Sequence, residues 1–472
     1  MEKLDFLLIE PALDWEKDLA IKQAMSTKEK IIMKSGPRLH AGYMLASLKH
    51  KGYKAQFIHM THQHVSTEDL LDHIEITQPT LIGMSSFTFQ IVSVGALADI
   101  IKNKFPRIPI CVGGCHSTAI PHRTLDEFKS IDFVVMGESE VILSDIIDNC
   151  DDEMKLSKIK GVVTRGKNDI SFSFVEDVND IPFPAWEEFD LSKFPGDAPH
   201  RTNLELPIIT GRGCPFKCVF CCRNLGDNCR RRSVDNVISE IRRNIEDFGC
   251  EAIAFLDETF VLNKNWTKEF FRKMGETGFN KKIKWSGSTR VNTVTPDLLS
   301  EMKKAGCYWL FYGFESSHTD ILKIAKKNTT REQMINAVKW TKEAGILPVG
   351  AFMIGLPGDT EQSFLETVEF GKKLDLYSIT FPIAAPFPGT ELREMALRNE
   401  YGMRINSDKW DEYLANDFDK YNKGDIRVLE SEDLSWDKRR ELQKFAYEEN
   451  PKKDMTDYMN KYNFSESRVK IG

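Results

Sequence analysis

The sequence predicts an α/β protein with a Rossmann-like parallel sheet at the front, a partial (β/α)6 TIM barrel behind it and a small C-terminal cap. Three observations predict this. Short apolar runs of strand length alternate with helical patterns through the first 150 residues. A second alternation begins at residue 206 and runs for six units. Before and after the second alternation the composition shifts, first to prolines among aromatics and then to dense charge. At 472 residues the chain is too long for one ordinary core, and length alone suggests about three domains.

In the front domain, residues 1–150, the expected strands are "KLDFLLIEP" (3–11), "AQFIHM" (55–60), "TLIGMSSF" (80–87), "IPICVGG" (108–114) and "IDFVVMG" (131–137). Helical patterns lie between them at 41–52, 66–77 and 92–105, and Ser66 with Asp69 forms an S-x-x-D start signal. Alternating strands and helices imply a parallel sheet covered on both faces, with ligands beyond the carboxyl ends of its strands. Those ends read "SSFTFQ", "GGCHST" and "GESE", all small or polar. Residues 151–205 read as an ordered strap. It starts with a hairpin over 161–174 and continues through "NDIPFPAWEEFDLSKFPGD" (179–197), where proline discourages regular structure.

The barrel, residues 206–395, is expected to use strands at 207–213, 252–258, 283–290, 308–316, 347–355 and 377–386. Several of the helices between them end in glycine, the residue best suited to a left-handed terminus. Functional groups of such a barrel sit at the carboxyl ends of the strands, here "GRGC", "LDET", "STR", "FES", "GLPG" and "APFPG". Residues 396–472 read as a cap and tail, with Trp410, Tyr413, Phe418 and Tyr421 expected to pack the cap on the barrel.

A net charge of -7 argues against a general nucleic-acid binder. No apolar run approaches the roughly 20 residues of a membrane span. The start "MEKLDFLLIEP" is too briefly apolar for a signal peptide. A cytoplasmic protein is expected, and ten cysteines in a reducing compartment point to metal or redox chemistry before disulfides.

The densest cysteine cluster is "GCPFKCVFCC" (213–222), on the loop after the first barrel strand. Cys214, Cys218 and Cys221 are spaced C-x3-C-x2-C. Three thiolates can hold three irons of a 4Fe-4S cluster and leave the fourth iron open. A zinc knuckle would want a fourth ligand, but Cys222 is adjacent to Cys221, and Cys229 and Cys250 are distant. Asp257 and Glu258 are candidates for substrate binding or for capping the following helix. "GLPGD" and "PFPGT" also suit loop-shaping turns. Cys111, Cys150 and Cys307 read as inert, and Cys115 with His116 as a poor metal pair.

The cysteine spacing, with Phe220 before the last cysteine, resembles the signature of the radical S-adenosylmethionine (SAM) enzymes. "FLDETF" (255–260), "GFESS" (313–317), "FMIGLPGDT" (352–360) and "PFPGTEL" (386–392) resemble motifs of the branch with an N-terminal cobalamin (B12)-binding domain. The resemblance covers residues 1–395 and implies a 4Fe-4S cluster, SAM and cobalamin as cofactors. It also implies a 5′-deoxyadenosyl radical that takes hydrogen from a small-molecule substrate. Phe220 is implied near adenine, Glu315 and Ser316 at the SAM amino group and ribose, Ser288 and Arg290 at its carboxylate or ribose, and Gly355 close to the adenine. The plainer readings are that Glu315 pairs with a lysine and that Arg290 is structural.

For cobalamin, the implied contacts are Ser85, Ser86, Thr88, Gly113, Gly114, His116, Gly137 and Glu138, with segment 12–37 folding over the ring. The lower-ligand motif Asp-x-His-x-x-Gly is missing, because Asp14 is followed by Glu16. His40, His59, His62 and His64 lie nearby in sequence. The expected reaction is methyl transfer from methylcobalamin to an unactivated carbon. The alternatives are a cyclase, dehydratase or epimerase without methyl transfer, or a zinc-stabilised binding protein. A flavodoxin- or ferredoxin-type electron donor is implied as partner.

Overall fold

The computed structural model describes residues 2–11, 36–166, 170–194, 202–414, 428–462 and 464. Expectations about segment 12–37, and about Phe418 and Tyr421, fall wholly or largely outside these residues.

The front sheet contains β1 (Phe6–Glu10), β2 (Ala55–His59), β3 (Leu81–Ser85), β4 (Ile110–Gly113), β5 (Phe133–Val135) and β6 (Val162–Val163), in the order β2-β1-β3-β4-β5-β6. The first five strands are parallel, with Phe6 opposite both Ala55 and Leu81. Successive strand residues point to opposite faces. Accordingly Leu7, Ile9, Ile82, Met84 and Val112 enter one core, while Phe6, Leu8, Cys111 and Phe133 enter another. Such two-sided burial explains the continuous apolar runs. Ser66 and Asp69 close the expected capping box at the start of helix Thr67–Thr77. Strand order reverses between β1 and β3, where open α/β sheets form their binding crevice.

The expected hairpin at 161–174 does not form among the described residues. β6 pairs antiparallel with β5, and Ser173 bridges to Gly137. Each half of the supposed hairpin therefore pairs with the front domain, because an open sheet edge was available to both.

The second sheet has six strands, parallel throughout, and from one edge to the other they run in reverse sequence order. Its strands are β7 (Glu205–Ile208), β10 (Ala252–Phe255), β11 (Lys284–Thr289), β12 (Cys307–Glu315), β13 (Leu347–Phe352) and β14 (Ser378–Thr380), each in sequence order. Between β7 and β10 a two-residue ribbon pairs β8 (Gly211–Arg212) with β9 (Arg230–Arg231). Phe255, Phe260, Phe270 and Trp285 pack edge to face or offset inside the barrel layer. Helix Val234–Phe248 ends at Gly249 with φ 65°, as its terminal glycine predicts.

The C-terminal part divides. Helix Trp436–Glu449 buries Trp436, Leu442 and Ala446 in the barrel core. Trp410 and Tyr413 instead join the front-domain core. They bridge both domains: Arg393 of the barrel donates to the Tyr413 hydroxyl at 2.8 Å and lies over the Trp410 ring, as expected, while Trp410 also meets His116 and donates to Glu127 at 2.6 Å in the front domain. Among the described residues, no helix is long and apolar enough to cross a membrane.

Candidate active site

The three cysteines lie on the excursion 213–229, which leaves the barrel through β8 and returns through β9. Gly213 makes the sharp exit at φ 97°, where an added Cβ would lie 2.3 Å from the Asn228 carbonyl oxygen. The loop is held in the middle by Val219, fully buried against Ile321, Leu356 and Leu392. Its N–H donates to the Ala325 carbonyl at 3.2 Å, and its own carbonyl accepts from Leu392 N–H at 2.8 Å. All ten cysteines are free thiols.

Cys218 is buried, with Arg290 Nη1 3.5 Å from its sulfur. A hydrogen bond from Cys221 lowers the Cys218 thiol to about 6, with Lys327 and Arg290 adding to the effect against the opposing push of burial. Cys221 shifts the other way, as the partner that keeps its proton. The Arg290 guanidinium lies 3.9 Å over the Phe216 ring and donates to the Lys327 carbonyl. Lys327 in turn pairs with Glu315 at 3.0 Å, both side chains being buried.

Glu315 adopts φ 68° where the β12–β13 register shifts. A non-glycine residue in this region is strained and persists only where its surroundings over-determine it. Here they do: a Cβ on Gly313 would sit 2.4 Å from Glu315 Oε1 and 2.8 Å from Lys327 Nζ. Two thiols, two cations and a strained acid thus converge at the carboxyl ends of β11 and β12. Among the described residues no three His, Cys, Asp or Glu side chains converge closely enough to hold a single metal ion. A 4Fe-4S cluster asks for something different, one thiolate per iron with a countercharge nearby, and this donor set fits it.

Other predicted positions divide by what already touches them. Phe220 is half-buried beside the Val219 cluster. Ser288 is half-buried, its carbonyl accepting from Phe260 N–H at 3.0 Å. Ser316 is buried, and its hydroxyl accepts from His318 N–H at 3.1 Å. Glu258 is exposed at the mouth. Asp257 is buried and accepts from the Thr210 N–H at 3.0 Å and hydroxyl at 2.6 Å, joining the ends of β7 and β10. That is a structural brace, not an open substrate contact. Gly355, at φ 78°, gives its free space to Arg439 of the C-terminal helix, not to a nucleotide: a Cβ there would be 2.3 Å from the guanidinium. Asp359 accepts from Gly355 N–H at 2.9 Å, so "GLPGD" is indeed a folded turn.

At the front edge, Ser85 and Gly113 end β3 and β4, and Ser86 N–H donates to the Gly113 carbonyl at 3.0 Å. Thr88 is buried. A Cβ on Gly114 would lie 2.5 Å from the Ser86 oxygen, so these two loops touch. Gly137 and Glu138 are occupied by the chain itself. Ser173 covers Gly137, and Arg230 grips Glu138, so neither faces outward for a corrin. His116 is fully buried, edge-on to Trp410, and among the described residues neither ring nitrogen has a hydrogen-bond partner. Burial, with Arg123 and Arg393, lowers it to about 3. His40, His59 and His62 gather instead around the Glu10–Arg38 ion pair, and His64 terminates a short helix. Phe87 is 54% exposed and stacks on Phe89 at the front edge, while Leu256 is 53% exposed past β10 in the barrel.

Sequence reasoning missed Lys327, Arg212, Arg230 and Arg439. Arg212, Arg230 and Arg439 act through partners far away in the chain, Lys327 through Glu315 on the preceding strand, and only the run "CRRRS" (229–233) hinted at one of them. A cavity of about 560 Å³ lies on the outer flank, lined by Ile335, Val338, Phe370 and Tyr462, away from the strand ends. Its lining offers no thiol or strained group, so the chemistry belongs to the cysteine loop.

Residues 208–371 match the sequence model of the Radical SAM superfamily, and residues 35–147 match that of the B12 binding domain. An uncharacterized methyltransferase of Pyrococcus horikoshii is 32% identical over 406 residues, covering 84% of this chain and 86% of the relative. The anaerobic magnesium-protoporphyrin IX monomethyl ester cyclase of Cereibacter sphaeroides is 26% identical over 371 residues, covering 76% of this chain and 60% of the relative. Among solved structures, the radical SAM methyltransferase TsrM from Kitasatospora setae, with cobalamin and a 4Fe-4S cluster bound, superposes with a TM-score of 0.71 at 16% identity. That superposition covers 94% of this chain and 91% of that one.

Proposed function

Since the chain belongs to the radical SAM family that carries a B12-binding domain ahead of its barrel, we propose that it methylates an unactivated carbon of a small-molecule substrate. Its cofactors are a 4Fe-4S cluster, SAM and cobalamin. When bound, these supply a 5′-deoxyadenosyl radical for hydrogen abstraction and a transferable methyl group.

The chain's own residues then hold, orient and shield. Residues 206–395 carry the cluster and SAM, residues 1–150 the corrin, residues 151–205 the strap between them and residues 396–472 the cap. Cys214, Cys218 and Cys221 hold three irons. The observation that carries this assignment is the Arg290 guanidinium held 3.5 Å from the Cys218 sulfur on the three-cysteine loop, because a thiolate is the ligand form and an adjacent fixed cation favours it. Phe220, Ser288 and Ser316 border the SAM side, and Glu315, held by Lys327, presents a fixed acid toward its amino group. Glu258 is the exposed acid left for substrate. Ser85, Ser86, Thr88, Gly113 and Gly114 form the floor for the corrin, with His116 behind them. A small ferredoxin or flavodoxin supplies the electron, and a reducing cytoplasm keeps the ten thiols available.

The test is anaerobic reconstitution with iron, sulfide, cobalamin, SAM and reductant. Methyl transfer yields both 5′-deoxyadenosine and S-adenosylhomocysteine, with corrinoid retained by the protein. Deoxyadenosine without homocysteine formation would move the chain to the ring-closing, dehydrating or epimerising reading. Cys218→Ala should abolish the brown cluster absorption and both products. A Cys218→Ala protein as brown and as active as wild type overturns the assignment.

A further inference from the structure

We propose that Glu138 is a positioning residue that holds the cysteine loop at one fixed distance and angle from the front domain, so that the two cofactors keep a single separation. This rests on the reading above that the front domain carries the corrin and the loop carries the cluster.

Arg212 and Arg230 stand directly opposite each other in the β8–β9 ribbon, at the neck of the loop that bears all three cysteines. Both guanidiniums leave the barrel and meet acids just beyond β5 of the front domain. Arg230 donates to both oxygens of Glu138, at 2.7 and 2.6 Å. Arg212 lies 3.5 Å from Glu138 and donates to Glu140 at 2.7 Å. The Glu138 side chain is 2% exposed. Arg230 also donates to the Leu225 carbonyl, inside the loop, at 3.0 Å and to the Val175 carbonyl of the strap at 2.5 Å. Val175 N–H returns a hydrogen bond to Glu138 at 2.6 Å. One carboxylate therefore ties together the loop neck, the loop interior, the strap and the front sheet.

The physics of such a pair favours geometry over stability. A buried ion pair is often no better for net stability than an apolar replacement, since desolvation offsets the attraction. A bidentate guanidinium–carboxylate pair, however, fixes orientation as well as distance. Two domains docked on apolar surface alone can slide, and a fork with both prongs engaged cannot. Hydrogen abstraction on one side of the junction and methyl delivery from the other would have to meet at one substrate carbon, and a misplacement of about 1 Å can cost about a hundredfold in rate.

The experiment uses the full chain loaded with 4Fe-4S cluster and cobalamin, the cluster reduced and the corrin as cob(II)alamin. Their spin–spin coupling, read by pulsed electron paramagnetic resonance, reports the separation directly and needs no substrate. Wild type should give one narrow distance. Glu138→Gln, which keeps shape but not charge, should broaden or shift it while cluster and corrinoid content stay full, and Glu138→Asp should recover part of the narrowing. Asp375→Asn is the control, because it breaks a lysine–tyrosine network on the far side of the barrel. It should lower thermal stability and leave the distance alone. Hydrogen exchange on protein without cofactors gives a second reading: amides of 213–229 should exchange about tenfold faster in Glu138→Gln, with the barrel helices unchanged. An unaltered distance and unaltered loop exchange in Glu138→Gln overturn the proposal, as does loss of corrinoid from that variant alone. Failure of wild type to take up corrinoid would instead refute the functional reading, and loop exchange would still decide the role of Glu138.

Discussion

Alanine at Gly355 measures how the cap is locked to the barrel. The residue sits at φ 78°, where an L side chain costs about 1–2 kcal/mol. Its Cβ would lie 2.3 Å from Nη1 and 2.4 Å from Cζ of Arg439, a fully buried side chain. The guanidinium donates to the carbonyls of Gly355 at 3.4 Å and Leu434 at 3.2 Å and to the Ser431 hydroxyl at 3.3 Å. It cannot retreat without leaving acceptors that it needs, since burial already lowers its pKa to about 10. Loss of hydrogen bonding by a charged group costs about 1.5–3 kcal/mol, so Gly355→Ala should lose about 2.5–5 kcal/mol in all. Urea denaturation followed by tryptophan fluorescence reads the loss, and limited proteolysis should cut near helix Trp436–Glu449 faster. Combining Gly355→Ala with Arg439→Met removes the clash, so the double variant should fall short of additivity by more than about 1 kcal/mol. A loss under about 1 kcal/mol, or strict additivity, refutes the reasoning. If the glycine instead serves an adenine, stability will hold and SAM affinity will drop.

Lys327→Met strands Glu315 as a buried unpaired acid and should cost about 3–5 kcal/mol in urea denaturation, much of it recovered by adding Glu315→Gln. Arg290→Met should weaken iron retention and shift the cluster's reduction potential more than it weakens SAM binding, both measurable on reconstituted protein, because its contacts are to Cys218, Phe216 and the Lys327 carbonyl. Trp410→Ala should cost about 3–5 kcal/mol and raise the His116 pKa from about 3 toward 6.5, followed by imidazole proton resonances. Acid should destabilise the protein early. His59 and His116 are both lowered to about 3, so the unfolded chain takes up their protons between pH 6.5 and 3 while the native chain does not. Stability should then fall with pH by up to about 1.4 kcal/mol per unit for each histidine, and His116→Gln should remove one of the two contributions. Burial pushes Glu10 up, but Arg38 holds it below its ordinary 4.5, so its contribution is present above that pH and lost below it.

Much of this was legible in the sequence because period and spacing are local. Strand-length apolar runs placed the starts of five front strands and six barrel strands to within three residues, though the runs at 207–213 and 377–386 overshoot the ends of β7 and β14, and Ser66 with Asp69 marked a helix start. The cysteine spacing singled out one loop. Less legible was every place where a distant segment arrived first. Gly137 looked open until Ser173 covered it, and Gly355 until Arg439 filled it. Asp257 looked free beside Glu258, yet Thr210 holds it. Glycine announces space for a close approach but not which atom approaches. An acid announces charge but not its partner. Trp410 and Tyr413 show the same gap, since an aromatic cluster signals burial without naming the domain that buries it.

The charge arrangement around Cys218 settles more than any single residue. Lys327 and Glu315 cancel each other at 3.0 Å, in a cluster too buried for water to screen them well. Among the described residues, Arg290 is left as the uncompensated cation in contact with the cysteine sulfur. Three thiolates around an iron–sulfur core are anionic, so a fixed guanidinium there stabilises the loaded loop and a bare thiolate alike. Its stacking on Phe216, within the same loop, ties that charge to the ligands it serves. The strained Glu315 has the complementary task. Its charge is balanced by Lys327 and its backbone is held left-handed, so on the proposed assignment it would meet a SAM ammonium group without adding net negative charge against the cluster. On the proposed assignment Arg290 would serve the metal side of the site and Glu315 the nucleotide side, a division that the two residues' neighbours in sequence could not have revealed.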